Sequence, residues 1–222
     1  MLTLVLAESS LEVIPKELQS HPSVTSYSKR NRKKSSEILL DNSWHFGAMK
    51  GISNEIKRGR PDIIYLAFLS ICNTPLYQQN KIRVFVHTVH NKVITLGQQV
   101  RPPKSYHRFQ GIIEKLFKEK KIEHVDSNLL EMQNMTFEEL INKINPEQLI
   151  GFSTEGKNST FEESAKTLTE NSCIVIGGFQ KGHFEENIKN RFDRMERLSD
   201  DSLETHVILS RIIYEYEKTI FM

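Results

Sequence analysis

A short apolar run that ends in glycines constrains the fold of this chain more than any other feature. The run from Cys173 to Ile176 is β-branched and apolar, which predicts a strand buried on both faces. It ends in Gly177 and Gly178, and Gly182 follows. Glycine lets the backbone approach a ligand closely and adopt positive φ. The glycines therefore predict either a binding loop or a tight turn that needs a left-handed residue.

Two further strand ends extend this pattern. Residues 148–153 predict a strand that ends in the loop Gly151–Gly156, and a third strand is expected to end near residue 198. The three ends alternate with helical patterns, which predicts an α/β fold with a mostly parallel sheet flanked by helices. Ligands bind beyond the carboxyl ends of such strands, so three converging loops suit a nucleoside-containing cofactor.

Known motifs for other chemistry do not match these loops. The glycine spacing is not G-x-G-x-x-G, and no G-K-[ST] follows it as in a P-loop. The G-x-S-x-G elbow of serine hydrolases requires glycine two residues after Ser153, where Glu155 stands instead. No nucleophile suited to covalent catalysis is found at these ends, so no catalytic residue is assigned from the sequence.

Charge is distributed unevenly along the 222 residues. Residues 1–121 carry 20 Lys and Arg against 9 Asp and Glu, whereas residues 122–222 carry 10 against 19. The net charge of the whole chain is only +2. The basic half favours a surface that binds a polyanion, with nucleic acid as the better hypothesis than an ordinary solvated surface.

One basic stretch in that half surrounds a proline. Lys57, Arg58 and Arg60 precede or adjoin Pro61, which is followed by Asp62. Pro61 favours an extended conformation at Arg60. Asp62 is expected either to cap the next helix or to accept hydrogen bonds from a neighbouring arginine. The alternative is that Arg58 and Arg60 are ordinary solvated surface charges.

A second basic stretch leads into a helix. Ser105 is the expected N-cap of a helix from Tyr106 to about Lys118. Three cations lie around its start, at Arg101, Lys104 and Arg108. A helix N-terminus with nearby Lys and Arg is a natural phosphate site, although ordinary surface charges would give the same pattern.

The remaining patterns predict the other elements. We expect strands at 2–8, 82–88 and 92–96, helices at 11–19, 44–57, 63–72, 136–144, 160–168 and 203–218, and a polar loop at 21–36. Trp44, Met49, Ile52 and Ile56 are expected in the core. The last helix is expected to be capped within Ser199–Ser202 and to bury Val207, Ile208, Ile212, Ile213 and Tyr216.

Other protein classes are disfavoured. No run approaches the roughly 18 apolar residues of a membrane span, and no signal-peptide pattern begins the chain. Cys72 and Cys173 lie in apolar runs and are expected to be buried and reduced, as in an intracellular protein. His87 and His90 would face opposite sides of a strand, so no metal site is expected.

Taken together, four motifs resemble one family. They are residues 58–63 (RGRPDI), 101–109 (RPPKSYHRF), 177–182 (GGFQKG) and the loop 195–200 before the last helix. In this order and at these separations they resemble the Nep or Emg family of ribosome-biogenesis pseudouridine N1-methyltransferases, which lies within the SPOUT superfamily. The resemblance covers nearly the whole chain.

The resemblance implies one SPOUT-like domain over residues 1–222 that forms a homodimer. A basic insertion at about 21–121 would bind RNA, and a C-terminal trefoil knot at about 148–222 would bind S-adenosylmethionine. The implied cofactor-binding residues are Phe152, Gly177, Gly182, Met195, Glu196, Arg197, Leu198, Ser199 and Asp200. The implied RNA-binding residues are Arg60, Asp62, Arg101, Lys104 and Arg108. Lys104 stands where the family often has arginine, and Tyr65 stands where it has histidine.

The implied function is methylation of N1 of a pseudouridine in small-subunit ribosomal RNA, during ribosome assembly. That activity implies a cytoplasmic protein, or a nucleolar one if the source is eukaryotic. No membrane and no metal are implied. Two alternatives stay open: a SPOUT methyltransferase for another RNA target such as a tRNA ribose, and a non-catalytic assembly factor that binds ribosomal RNA.

Overall fold

The computed structural model describes residues 1–98, 100–124 and 127–221. Within them lie eight strands, at Leu2–Ser9 (β1), Ile82–Thr88 (β2), Lys92–Leu96 (β3), Lys121–His124 (β4), Ser127–Asn134 (β5), Gln148–Asn158 (β6), Ser172–Gly177 (β7) and Arg194–Arg197 (β8). The α-helices of the same residues are Pro22–Asn31 (α1), Asn42–Met49 (α2), Pro61–Ile71 (α3), Pro75–Gln78 (α4), Tyr106–Glu119 (α5), Phe137–Ile144 (α6), Phe161–Lys166 (α7), Glu186–Lys189 (α8) and Thr205–Phe221 (α9).

The strands form one sheet in the order β4-β5-β3-β2-β1-β7-β6-β8. Five adjacent strands, from β2 to β8, pair in parallel, and the three at the other edge pair antiparallel. All eight residues of β1 are buried, as expected for a strand at the centre of a sheet covered on both faces. The predicted α/β class with a mostly parallel sheet is confirmed, whereas the threading of the C-terminal chain into a knot stays a prediction.

Helices cover both faces of the sheet. On one face Phe68 of α3, Phe109 of α5 and Ile212 of α9 pack in the main core. On the other face Leu140 of α6 and Ile188 of α8 pack against the strands. Cys72 and Cys173 are both buried and unpaired, as predicted.

A second, small core lies within residues 14–49, and the sequence predictions fail most often there. The polar loop predicted at 21–36 is wrong, because helix α1 occupies Pro22–Asn31. The His21 ring accepts a hydrogen bond from the Ser23 N–H, and Pro22 occupies the first turn. Val24 is the one residue of α1 that is buried in that core, which explains why the sequence of α1 shows no helical hydrophobic periodicity.

Two predicted helices on either side of α1 are also corrected. Residues 11–19 are extended rather than helical, since Val13 bridges Leu39, and only Lys16–Leu18 form a 3-10 turn. Helix α2 ends at Met49 rather than near 57. Trp44 and Ile56 are 43% and 58% exposed, so their predicted core positions are wrong, whereas Met49 is buried.

The C-terminal half keeps its predicted elements with shifted ends. Strand β6 continues to Asn158, and the predicted loop Gly151–Gly156 is an irregularity within it, where Glu196 pairs with both Phe152 and Lys157. Helix α9 begins at Thr205, so Ser199–Ser202 lies in the preceding loop and does not cap it. Of the predicted buried residues of α9, Val207 and Ile208 are only half-buried.

Candidate functional site

A cavity of about 320 Å³ opens beside the irregularity within β6, the ends of β7 and β8, and the start of α9. The segments near residues 152, 177 and 198 therefore meet at one cavity, although the strand end expected near residue 152 is an irregularity within β6. The cavity is lined by Phe152–Thr154, Ile176, Gly177, Phe179–Phe184, Glu196–Ser199, Asp201–Thr205 and Ile208. Its volume lies within the range typical of small-molecule sites.

The structure brings together most of the residues predicted to bind the cofactor. Those that line the cavity are Phe152, Gly177, Gly182, Glu196, Arg197, Leu198 and Ser199. Met195 and Asp200 are neighbours in sequence that do not contribute to the lining among the described residues. The Asp200 carboxylate lies 3.3 Å from the Arg197 guanidinium instead.

The glycines after β7 have different structural roles. Gly182 has φ of +101°, the left-handed region that glycine adopts without strain. A Cβ on Gly178 would come within 2.2 Å of the Ser9 Oγ, so this glycine is required for close packing against the end of β1. The left-handed turn expected from the sequence is therefore present at Gly182, whereas the ligand-binding role of these glycines stays a prediction.

Hydrogen bonds fix the loop that forms one wall of the cavity. The Gly178 N–H donates to the Ala7 carbonyl at 2.8 Å, and the Ser10 N–H donates to the Gly178 carbonyl at 2.9 Å. The Thr205 hydroxyl donates to the Gly177 carbonyl at 2.7 Å. These bonds join β1, β7 and α9 at the wall of the cavity.

Glu196 offers an unused acceptor to this cavity. One of its carboxylate oxygens accepts a hydrogen bond from Arg194 at 2.6 Å. The other oxygen is buried and has no hydrogen-bond partner within the described residues. A buried carboxylate oxygen without a donor is costly, and a bound ligand with a hydroxyl or amino group would satisfy it. The cavity therefore fits a ligand such as a nucleoside.

Two of the three cations at residues 57–60 lie inside the protein. Lys57 Nζ lies 2.8 Å from a Glu8 carboxylate oxygen, and Arg58 forms two hydrogen bonds of 2.7 Å with Glu12. Arg58 is 5% exposed, so the alternative of a solvated surface charge is wrong for it. Lys57 also lies 4.6 Å from the ring centre of Phe179, which connects this pair to the cavity wall.

The two buried carboxylates respond differently to their surroundings. Burial raises the pKa of Glu8 above its ordinary value, although the hydrogen bond from Lys57 opposes this. Burial also acts to raise the pKa of Glu12, but hydrogen bonds from Arg58 and His90 outweigh it and lower the pKa. Glu12 is therefore a firmly ionised structural partner, and Glu8 is the group held less favourably in its charged form.

Arg60 is the cation of this stretch that faces outward near the cavity. Its guanidinium forms hydrogen bonds of 2.8 and 2.7 Å with the two Asp62 carboxylate oxygens. Asp62 thus binds the arginine and does not cap α3. The Asp62 hydrogen bonds raise the pKa of Arg60, and the nearby charge of Glu204 adds to this effect. Glu204 lines the cavity, whereas Arg60 is not among the described residues that line it.

The second basic stretch is held against α3. The Tyr65 hydroxyl donates to the Lys104 carbonyl at 2.6 Å, and its ring lies 5.5 Å from Tyr106 and 5.2 Å from Phe109. Arg101, Lys104 and Arg108 are exposed and form no ion pair within the described part of the chain. Ser105 is the N-cap residue of α5, although its side chain makes no capping hydrogen bond. The two stretches predicted to bind RNA are therefore joined by Tyr65.

Comparison with known proteins identifies the family. The family model described as EMG1/NEP1 methyltransferase matches residues 4–217. The chain belongs to this family. It is 39% identical over 212 residues to the ribosomal RNA small subunit methyltransferase Nep1 of Saccharolobus solfataricus, covering 95% of this chain and 94% of that protein. It is 39% identical over 186 residues to the Nep1 of Thermococcus sibiricus, covering 83% and 84%.

A solved structure of the EMG1/NEP1 family has the same fold. The crystal structure of Archaeoglobus fulgidus Nep1 bound to S-adenosylhomocysteine matches with a TM-score of 0.87 and 32% identity. The match covers 97% of each chain. The family resemblance inferred from the four motifs is thus confirmed.

Sequence reasoning did not find every residue that shapes this family member's site. Phe184, Leu203 and Glu204 line the cavity but lie outside the four motifs. Asp41 is buried and accepts a hydrogen bond of 2.6 Å from the Tyr106 hydroxyl, across 65 positions of sequence. Only its position before α2, where it caps the Ser43 N–H, is visible as a local signal.

His87 and His90 each pair with another side chain of the protein. No group of three or more His, Cys, Asp or Glu side chains that could hold a metal ion is found within the described residues. His87 Nε2 is 3.0 Å from the Asn91 amide oxygen, and His90 Nε2 is 2.8 Å from Glu12. Helices long and apolar enough to cross a bilayer are likewise not found among these residues.

Proposed function

We propose that this chain methylates N1 of a pseudouridine in small-subunit ribosomal RNA, with S-adenosylmethionine as the methyl donor. The observation that carries the proposal is the solved relative bound to S-adenosylhomocysteine, whose fold this chain shares over 97% of its length. S-adenosylhomocysteine is the methyl donor without its methyl group. The names of the curated relatives support small-subunit ribosomal RNA as the substrate class.

The cavity at the strand ends holds the cofactor in this proposal. Backbone groups around Gly177 and Gly182 approach the nucleoside closely, and Glu196 accepts a hydrogen bond from it with its unused oxygen. Leu198 and Ile208 supply apolar walls. When bound, S-adenosylmethionine supplies a methyl group on a positively charged sulfur atom.

The RNA lies across the basic face in this proposal. Arg60, Arg101, Lys104 and Arg108 contact phosphates, which gives affinity and register rather than sequence recognition. Asp62 holds the Arg60 guanidinium in place through both oxygens. The target base leaves its stack to reach the cavity beside Glu204.

The chemical step needs removal of one proton. N1 of pseudouridine carries a hydrogen that must leave as the new N–C bond forms. This chain contributes mainly by positioning the base, because a correctly oriented pair of reactants reacts much faster than free ones. No residue of this chain is assigned as the base that takes the proton.

A methyl-transfer assay tests the proposal. Two RNAs of identical sequence, one with pseudouridine and one with uridine at the target position, are incubated with the protein and radiolabelled S-adenosylmethionine. We expect label only in the pseudouridine RNA. Nucleoside analysis against an N1-methylpseudouridine standard should place the label on the target nucleotide. Label in the ribose of a tRNA would favour a SPOUT methyltransferase with another target. RNA binding by the protein without any methyl transfer would favour a non-catalytic assembly factor.

We also propose that the protein forms a homodimer. Tyr214 and Phe221 on α9 are 55% and 39% exposed, and burial of such side chains at a twofold interface would be favourable. Light scattering should then return twice the chain mass of 25.8 kDa. A species of single chain mass at high micromolar concentration would contradict the dimer. We propose that the protein acts in the cytoplasm, or in the nucleolus if the source is eukaryotic.

A further inference from the structure

Two aromatic rings and one arginine form an exposed cluster on helices α1 and α2. The Tyr27 and Trp44 ring centres are 5.4 Å apart with their planes tilted by 38°. The Arg30 guanidinium lies 5.3 Å from the Tyr27 ring centre and 4.8 Å from that of Trp44. These distances are typical of cation–π contacts. Trp44 is 43% exposed, so much of its indole surface meets solvent.

The surroundings of this Tyr27–Arg30–Trp44 cluster are strongly basic. Residues 29–34 contain five Lys and Arg in six positions. Within the described part of the chain only Lys33 among them pairs with a carboxylate, that of Glu114. Lys29, Arg32 and Lys34 are exposed without an ion-pair partner there. The positive charge around the rings is therefore available to an anionic ligand.

The cluster lies beside the basic face already described. Asp41, at the start of α2, accepts hydrogen bonds from Tyr106 at 2.6 Å and from Gln110 at 3.3 Å. Lys33, just beyond α1, bonds to Glu114 of α5. The residues just after α1 and just before α2 are therefore bonded to α5, the helix that carries Arg108. A single-stranded RNA bound at Arg108 can continue onto the Tyr27–Arg30–Trp44 cluster.

We propose that the Tyr27–Arg30–Trp44 cluster stacks an unpaired base of the single-stranded RNA that flanks the target nucleotide. Exposed aromatic rings combined with cations are the usual means of holding single-stranded nucleic acid, since every base has a face that can stack. Lys29, Arg32 and Lys34 contact the phosphates on either side. The inference rests on the proposed function only in taking RNA as the substrate.

The chain provides its own probe for this contact. Trp44 is the only tryptophan, so intrinsic tryptophan fluorescence reports on this cluster alone. The probe is a 12-nucleotide single-stranded RNA with one central pseudouridine, titrated into the full-length protein without cofactor. We expect the fluorescence to be quenched. A 12-nucleotide abasic strand with the same number of phosphates should leave it unquenched, because only a base can stack.

Substitutions separate stacking from charge. Trp44→Ala should weaken RNA binding on the order of tenfold and leave the salt dependence unchanged, because no charge is removed. Arg30→Ala should weaken binding and also make the slope of log K against log salt shallower by about 0.7, as expected for one contact to a single strand. Affinity is measured by fluorescence anisotropy of a labelled RNA.

A second aromatic residue of α2 serves as the matched control. Phe46 is 60% exposed, beside Lys50, and it lies two positions from Trp44, about 200° around the helix. Phe46→Ala should bind RNA like the wild type. Unchanged melting temperatures show that all three variants are folded.

These measurements do not depend on methyl transfer, so failure of the methylation assay and failure of this inference are distinguishable. Equal quenching by the abasic strand, or wild-type affinity of Trp44→Ala, would overturn the inference. It would also be overturned if the fluorescence changed with protein concentration alone and Trp44→Ala converted a dimer into a monomer. The cluster would then be a contact between two copies of this chain.

Discussion

Removal of Lys57 should destabilise the protein strongly. Its ammonium group lies 2.8 Å from Glu8, and the side chains are only 9% and 5% exposed. The change Lys57→Met keeps the length and most of the apolar stem but leaves the Glu8 carboxylate buried without its cation. Loss of one partner from a buried ion pair costs about 3–5 kcal/mol. For a chain of this size that corresponds to a melting temperature roughly 6–20 °C lower.

The effect should depend on pH in a defined direction. Burial raises the pKa of Glu8 in the folded state, and Lys57 opposes this. A carboxyl with a raised folded pKa binds more protons folded than unfolded, so its contribution to stability is complete at low pH and is lost as pH rises through the folded pKa. Without Lys57 that pKa rises further. The difference in unfolding free energy between wild type and variant should therefore be largest at neutral pH and shrink on acidification.

Urea unfolding followed by circular dichroism at pH 7 and pH 5 measures both effects. Lys166→Met is the matched control, because Lys166 pairs with Glu162 on an exposed helix surface and its loss should fall within experimental error. The double change Lys57→Met with Glu8→Gln should recover stability, since no charge is left buried. If the unfolding free energy of Lys57→Met lies within about 1 kcal/mol of the wild-type value, or if its deficit grows at low pH, the buried Lys57–Glu8 pair does not stabilise the fold in this way.

Three further changes address the proposed binding surfaces. Gly182→Ala forces φ of +101° on a residue with a side chain, so we expect weaker S-adenosylmethionine binding by calorimetry. Gly111→Ala, at an exposed position of α5, is the control, and equal affinities of the two variants would remove Gly182 from the site. Arg60→Ala should lower RNA affinity and make the slope of log K against log salt shallower by about 0.7, while cofactor affinity is kept. Asp62→Asn should reproduce part of this effect, because Asp62 holds the Arg60 guanidinium. Wild-type RNA binding by Arg60→Ala across a salt titration would show that Arg60 is an ordinary surface charge. Tyr65→Phe removes the hydrogen bond to the Lys104 carbonyl, about 0.5–1.5 kcal/mol, and should weaken RNA binding more than cofactor binding; equal losses of both would indicate a general structural role.

Local sequence patterns predicted the central strands of the sheet and the glycine loop that lines the cavity, but not strands β4 and β5 at the opposite edge. The run from Cys173 to Ile176 is buried on every residue, and its glycine end does stand at the cavity. Hydrophobic periodicity is a local property, so strands β1, β2, β3 and β7 and helices α3 and α5 were predictable within a few residues. The two basic stretches were also predictable, because charged residues are identified directly from the sequence.

Local patterns failed where one residue or a distant partner decides the structure. Helix α1 buries only Val24, so its polar sequence indicated a loop until the small core beneath it was known. The exposed position of Trp44 follows from how α2 lies on that core. Periodicity finds a helix only when a whole face is apolar.

Which charged residues are buried and which are exposed depends on contacts between distant parts of the chain. Lys57, Arg58 and Arg60 are nearly adjacent in sequence, yet the first two pair with Glu8 and Glu12, which lie 49 and 46 positions away. Arg60 is left partly exposed and paired with Asp62, its near neighbour in sequence. Ion pairs depend on distance in space, and a sequence records only distance along the chain. Burial of the first two therefore could not be seen before the fold placed the end of β1 against residues 57–58.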